Sequence, residues 1–273
     1  MLASSFLREV RRRGPVKAVG IAANWLWTNY RSRDPSIIRK AGEANGFFFD
    51  KLGIERASAE KEYRRAAALV GFEPGENDSI HRLGFAALKV SGFRPARILE
   101  LGTSHGETTA YLSAIFPDAQ IHTVELDQDD PIYRRMHPNP EKRDANVERR
   151  LANPKITALR TNTVFLQDLD LPNFDLIWLD AGHHFPEVAW DHFFCMHRLN
   201  AGGWLFTDDV MLPDNSLARK RPGILDVWKV VNYFNERGRP FDLLLKRESP
   251  RQYVMNVKYV GFHHAPGSEQ SRS

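Results

Sequence analysis

The stretch Arg97-Ile98-Leu99-Glu100-Leu101-Gly102-Thr103-Ser104-His105-Gly106-Glu107-Thr108-Thr109 constrains the fold of this chain more than any other. An apolar run ends in an acid, turns through two glycines and opens into a helix-like segment. Strand, glycine turn and helix in that order build a crevice at the carboxyl end of a parallel strand. A second acid, Glu125, closes the next apolar run, Ile121-His122-Thr123-Val124.

The pattern on either side repeats the same alternation. Strands are predicted at Arg97–Leu101, Gln120–Glu125, Ile156–Thr161, Phe174–Asp180 and Gly203–Asp208. Helices are predicted at His105–Phe116, Glu141–Ala152, Phe185–Leu199 and Gly223–Arg237. Alternating strands and helices imply a mostly parallel sheet covered on both faces. Phe241–Arg247 and Gln252–Val260 read as two further strands joined by Glu248-Ser249-Pro250-Arg251. Four residues cannot make a parallel crossover, so the pair is predicted to be an antiparallel hairpin. Ahead of the alternation, helices are predicted at Leu2–Arg13, Val16–Tyr30, Pro35–Phe49, Ala57–Val70 and Asp78–Val90.

The glycine turn speaks to the kind of ligand. A dinucleotide site needs Gly-x-Gly-x-x-Gly, so that a pyrophosphate can rest on a helix N-terminus. This chain has Gly102-x-x-x-Gly106, with Ser104 where a middle glycine would stand. Such a turn suits a ligand without phosphates, although a purely structural strand–helix turn has the same look. Glu125 adds an acceptor-only carboxylate at the neighbouring strand end, suited to a pair of ribose hydroxyls.

With these residues in view, Glu100–Gly106 and Thr123-Val124-Glu125-Leu126-Asp127 resemble the first two motifs of class I S-adenosylmethionine-dependent methyltransferases. Phe174-Asp-Leu-Ile-Trp-Leu-Asp180-Ala-Gly-His183-His-Phe185 is similar to the Asp-Gly-x-His-x-Tyr segment of a bacterial small-molecule O-methyltransferase group. Leu199-Asn-Ala-Gly202-Gly203-Trp-Leu-Phe-Thr-Asp208-Asp209 resembles that group's Leu-x-x-Gly-Gly element. The likeness covers roughly residues 95–260 and nothing in residues 1–75. It implies a Rossmann-like three-layer α/β fold: a mostly parallel seven-stranded sheet, a C-terminal antiparallel hairpin and an N-terminal helical extension.

The resemblance also implies site residues. Glu100, Gly102, Thr103, Ser104 and Gly106 would line the methionine and ribose side of S-adenosylmethionine. Glu125 would hold the ribose, Leu126 flank the adenine, Thr163 meet its edge, and Asp180 border the cofactor. Metal-dependent members place an Asp after the fourth strand and a pair after the fifth. Asp180, Asp208 and Asp209 match that layout and make an oxygen site suited to Mg2+. The alternative is that Asp208 and Asp209 simply solvate a strand end. His183 occupies the group's histidine position, as a base or an orienting residue, and Asp180 joins it as the second catalytic candidate. Some members carry a further acid where this chain has Gly182, which moves weight onto His183.

Three functions are compatible with this reading. The first is methyl transfer to a small-molecule acceptor, at a hydroxyl. The second is methyl transfer to a macromolecule, and the third a non-catalytic cofactor-binding scaffold. The complete acid set speaks against a dead scaffold. No aromatic-interleaved basic patch or amine-methylation motif is present, which speaks against a nucleic-acid partner.

Charge is uneven: residues 1–40 carry nine Lys/Arg against two Asp/Glu, within a chain of net charge +4. A basic leader of this kind is a solvated helix face or a contact with a membrane surface, an acidic partner or nucleic acid. Ala18–Trp27 is too short to span a bilayer, and the lone Cys195 excludes an intrachain disulfide. The protein is expected to be cytoplasmic. Its expected organisation is a helical extension at 1–75, a cofactor-binding domain at 76–262 and a disordered tail at 263–273. The extension reads either as a lid over the acceptor or as a homodimerisation arm.

Overall fold

The computed structural model describes residues 26–75, 78–136, 140–214, 222–255 and 258–267. The expected helix at Leu2–Arg13, most of that at Val16–Tyr30, the bulk of the basic leader and residues 268–273 of the tail lie outside them.

Seven strands form one sheet: β1 (Arg97–Leu101), β2 (Gln120–Glu125), β3 (Ile156–Arg160), β4 (Phe174–Leu179), β5 (Leu199–Val210), β6 (Asp242–Leu245) and β7 (Tyr259–His264). Their order is β3-β2-β1-β4-β5-β7-β6. β1 through β5 run parallel, and β7 is antiparallel to both β5 and β6. Strand order reverses between β1 and β4, which opens a crevice at their carboxyl ends.

The helices are α1 (Pro35–Glu43), α2 (Gly46–Leu52), α3 (Arg56–Leu69), α4 (Ile80–Val90), α5 (Glu107–Ile115), α6 (Pro131–Met136), α7 (Pro140–Leu151), α8 (Glu187–Arg198), α9 (Asp226–Asn235) and α10 (Pro250–Met255). Two apolar clusters sit on opposite faces of the sheet. One joins Ile98, Trp178 and Phe206 to Phe48, Phe85 and Tyr111; the other joins Leu99, Leu101 and Leu179 to Val188, Cys195 and Val227. Side chains alternate along a strand, so β1 feeds Ile98 to the first cluster and Leu99 and Leu101 to the second.

The expected single helix over Pro35–Phe49 is two helices. Asp34 caps the first, accepting from the Ser36 N–H at 2.8 Å, with Pro35 in its first turn. The break falls at Asn45, whose side-chain amide donates to the Leu245 carbonyl (3.0 Å) and accepts from the Leu245 N–H (2.7 Å). One amide thus makes both bonds that another strand would make along the β6 edge, and the backbone at Asn45 leaves the helix to do so.

The residues after the break join the α/β core. Phe48 sits edge-on to Trp204, Phe206 and Phe262 at ring distances of 6.1, 6.2 and 4.9 Å. Burying such a ring stabilises by about 1.5–3 kcal/mol. Phe48 and Phe49 are therefore core residues, while Trp27 and Tyr30 are exposed.

The last two strands also differ from expectation. Pro250–Met255 is helix α10, so residues 246–258 connect β6 to β7 and no four-residue turn exists. Ser249-Pro250 is a helix start, and the Tyr253 N–H bonds to the Ser249 carbonyl at 3.0 Å. The antiparallel pairing itself holds, with Leu245 opposite Tyr259. β7 runs on to His264, which stacks on Trp204 at 4.2 Å, so the domain continues past residue 262.

Candidate active site at the carboxyl ends of the parallel strands

The turn after β1 is held open by backbone conformation. Gly102 has φ +101°, and a Cβ there would lie 2.1 Å from the Asp180 carbonyl oxygen. The Asp180 N–H donates to the Leu101 carbonyl at 2.8 Å. The ends of β1 and β4 are therefore in backbone contact, possible only for glycine at 102. Ser104 (φ +47°) and Gly106 (φ +71°) complete the turn into α5.

Glu125 reaches this turn. Its Oε2 accepts from the Ser104 N–H at 2.8 Å and its Oε1 from the Leu126 N–H at 3.0 Å. Two backbone donors thus orient a half-buried carboxylate at the crevice, and Ser104 and Glu125 come together as the sequence pattern predicts. Leu126 follows immediately. Thr163 opens a 3-10 turn, Thr163–Asp168, capped by the Asn162 side chain.

Glu100 and Thr103 behave differently. Strand alternation turns Glu100 away from the crevice mouth into the helix layer, where it is fully buried and Oε2 accepts from the Thr109 and Thr123 hydroxyls. Its Oε1 is buried without a hydrogen-bond partner. Burial pushes this carboxyl up to about 7, against the pull of the two threonines. The Thr103 hydroxyl is buried on Thr123 at 2.6 Å. Both residues hold the turn from below rather than line an open surface.

The acid set after β4 and β5 assembles in part. His183 Nε2 lies 3.5 Å from Asp180 Oδ1. Burial disfavours the imidazolium, but the nearby Asp180 carboxylate, with Asp209 and Asp208 behind it, outweighs burial and raises the His183 pKa. One ligand atom each from Asp180, His183 and Asp208 fall within 4.8 Å of one another. Asp209 is not in that group. Register shifts between Thr207 and Val210, and Asp209 adopts φ +57°, a bulge that re-aims the side chain. Asp209 bonds Lys246 through Oδ1 (2.7 Å) and Lys258 through Oδ2. Of the expected Asp180/Asp208/Asp209 oxygen site for Mg2+, the fold brings Asp180 and Asp208 together, with His183 rather than Asp209 as the third group.

Lys246 was not among the residues the sequence pattern singled out. Its ammonium bonds Asp208 Oδ2 as well as Asp209 Oδ1. Burial and the neighbouring Asp180 raise the Asp208 pKa, while Lys246 and Lys258 overcome burial and lower that of Asp209. Two more buried groups escaped the sequence reading. His81, at the start of α4, stacks on Trp178 at 4.3 Å, and desolvation together with Arg82 and Lys246 holds its pKa well below 6.5. Asp191 of α8 is pushed up to about 6 by burial, against the Thr163 hydroxyl. No local motif marks any of the three; each is defined by what packs against it. His184 stands apart, beside Asp226 at 3.8 Å.

The family Methyltransf_24, described as a methyltransferase domain, matches residues 99–210. The match covers 112 of the 273 residues. The likeness drawn from Glu100–Gly106 and Glu125 to class I S-adenosylmethionine-dependent methyltransferases is borne out, and with it the assignment of the protein as an enzyme. Solved structures share the fold. The O-methyltransferase TomG of Streptomyces achromogenes, solved with S-adenosylmethionine, superposes with TM-score 0.51 at 16% identity, over 77% of this chain and 90% of its own. A putative caffeoyl-CoA O-methyltransferase from Staphylococcus aureus gives 0.50 at 14% identity, over 76% and 92%. An O-methyltransferase from Bacillus cereus, in complex with S-adenosylhomocysteine, gives 0.50 at 14%, over 83% and 99%. No curated protein sequence matches the chain. Among the described residues no helix is long and apolar enough to cross a membrane.

Proposed function

We propose that this enzyme transfers the methyl group of S-adenosylmethionine to a hydroxyl of a small-molecule acceptor. The observation that carries the reading is the meeting of Glu125 with the Ser104 N–H at the β1–β4 switch point, beside the Asp180–His183 pair. The donor set fits the cofactor. An acceptor-only carboxylate suits a neutral ribose diol, and a turn with Ser104 at its centre offers no glycine-lined bed for a diphosphate.

Glu125 would accept from the ribose hydroxyls, Leu126 and Thr163 border the adenine, and Gly102, Ser104 and Gly106 border the methionine side. Glu100 and Thr103 would keep that turn in shape. When bound, the cofactor supplies an electrophilic methyl on a sulfonium. The chain's residues contribute proximity and one proton transfer. Asp180 faces His183 Nε2, leaving Nδ1 to take the acceptor's hydroxyl proton while Asp180 steadies the imidazolium. Methyl transfer would exchange the donor's C–S bond for a C–O bond on the acceptor, with the hydroxyl proton held at His183 Nδ1 and S-adenosylhomocysteine as the product.

Calorimetric titration tests the cofactor half directly. The wild-type protein is expected to bind S-adenosylmethionine and S-adenosylhomocysteine saturably. Glu125→Ala weakens both roughly 10- to 100-fold, the loss expected for hydrogen bonds to a charged group. No heat with either ligand at millimolar concentration ends the proposal.

A further inference from the structure

We propose that the Lys246 ammonium is the resident cation of the strand-end carboxylates, so that the site works without a divalent metal. This rests on the methyl-transfer reading above for its role, though not for its test.

The backbone delivers Lys246 to this place from two sides. Its N–H bonds the Lys258 carbonyl at 3.1 Å, and its carbonyl accepts the Ile80 N–H at 2.8 Å. From there the side chain, only 12% exposed, runs to the rim and bonds Asp208 and Asp209 together. Lys258 takes the second oxygen of Asp209. Three carboxylates, Asp180, Asp208 and Asp209, thus face two ammonium groups and the His183 imidazole. The two ammonium groups offset two of the three carboxylate charges.

A dication bound by Asp180, His183 and Asp208 would share Asp208 with an ammonium already bonded to it. Like charges at that separation repel, and the site is buried enough that solvent screens them poorly. The other oxygen of Asp208, Oδ1, is buried, and neither it nor His183 Nε2 has a hydrogen-bond partner among the described residues. Lys246 is protonated well above neutral pH, because both aspartates outweigh its burial. It also borders a cavity of about 120 Å3 with Arg247, Gln252, Met255 and Lys258.

Manganese chloride is the probe, followed by electron paramagnetic resonance of free Mn2+ and by calorimetry. Wild-type protein is expected to show no binding below millimolar concentration. Lys246→Ala frees the carboxylates and gains Mn2+ affinity at least tenfold, whereas Lys246→Arg keeps the charge and gains none. Micromolar Mn2+ binding by the wild type that is lost in Asp180→Asn or Asp208→Asn overturns the proposal. If Lys246→Ala does not fold, the wild-type and Lys246→Arg titrations still decide the matter. A separate S-adenosylmethionine titration of the same samples shows whether the methyltransferase reading has failed independently.

Discussion

The two halves of the site are built by different means. On the β1–β2 side, backbone groups do the holding: Ser104 N–H and Leu126 N–H orient Glu125, and Gly102 lies against the Asp180 carbonyl. On the β4–β5 side, charged side chains hold one another: Asp180 with His183, and Asp208 and Asp209 with Lys246 and Lys258. Backbone cradles change little with pH and fail by steric intrusion. Charge networks fail by losing a partner or a proton. The halves should therefore break under different perturbations, and the following experiments separate them.

The largest effect is expected at Gly102. An alanine Cβ there meets a carbonyl oxygen at 2.1 Å, and the residue sits at φ +101°. Backbone strain and overpacking together are expected to cost roughly 3 to 6 kcal/mol. Gly53 supplies the contrast: its φ is +64°, but a Cβ added there would have nothing within 4 Å. Gly53→Ala should cost roughly 1 kcal/mol, from conformation alone. Urea unfolding of both variants measures the difference; equal losses would mean that the β1–β4 contact is softer than its geometry.

Glu100 lies beneath the backbone half yet is itself ionisable, so it tests how clean the division is. Its folded pKa of about 7 stands above the ordinary 4.5. Between those values the folded state binds the proton that the unfolded state releases, so stability falls as pH rises through that window. The integrated loss reaches about 3 kcal/mol. Glu100→Gln keeps an oxygen for Thr109 and Thr123 and removes the titration. Its unfolding free energy should be flatter between pH 5 and 8 than that of the wild type. Parallel profiles for the two proteins would place the pH dependence elsewhere.

The same division explains what the sequence made legible. The backbone half is local: Gly102, Ser104 and Gly106 lie within one turn, and Glu125 ends the adjacent strand in register with it. Spacing and strand alternation carry that information, and the order of the parallel strands follows from it. Strand alternation also explains why Glu100 faces inward, a consequence that the motif alone does not state. The charged half is not local. Lys246 and Asp208 are 38 residues apart and meet only because β7 lies between β5 and β6. Asp208 and Asp209 looked like one metal-binding pair because adjacency in sequence hides a bulge at φ +57°. Asn45 and α10 were missed for a related reason. Each departs from its local apolar pattern to satisfy a backbone group, on the β6 edge in one case and at a Ser-Pro helix start in the other.

The smallest effect isolates one contact in the charged half. Burial alone would depress the His183 pKa, but the Asp180 carboxylate beside it raises it above 6.5, with Asp209 and Asp208 adding to the field. Asp180→Asn removes the leading favourable partner and leaves the burial, so the His183 pKa must fall. The sign carries through to stability. A histidine raised in the folded state stabilises below its unfolded pKa and loses that contribution as pH climbs through the folded value. Asp180→Asn should therefore narrow the stability gained on moving from neutral to mildly acid pH. Proton NMR titration of the imidazole Cε1–H resonance, assigned by His183→Gln, reads the shift directly. His184 serves as the internal reference, since its neighbour is Asp226 rather than Asp180. If the His183 midpoint stays fixed while Asp180 is neutralised, the pair is a neighbour relation and not a functional dyad. The imidazole would then answer chiefly to the aspartates that Lys246 holds, and the boundary between the two halves would move to the Asp180 backbone.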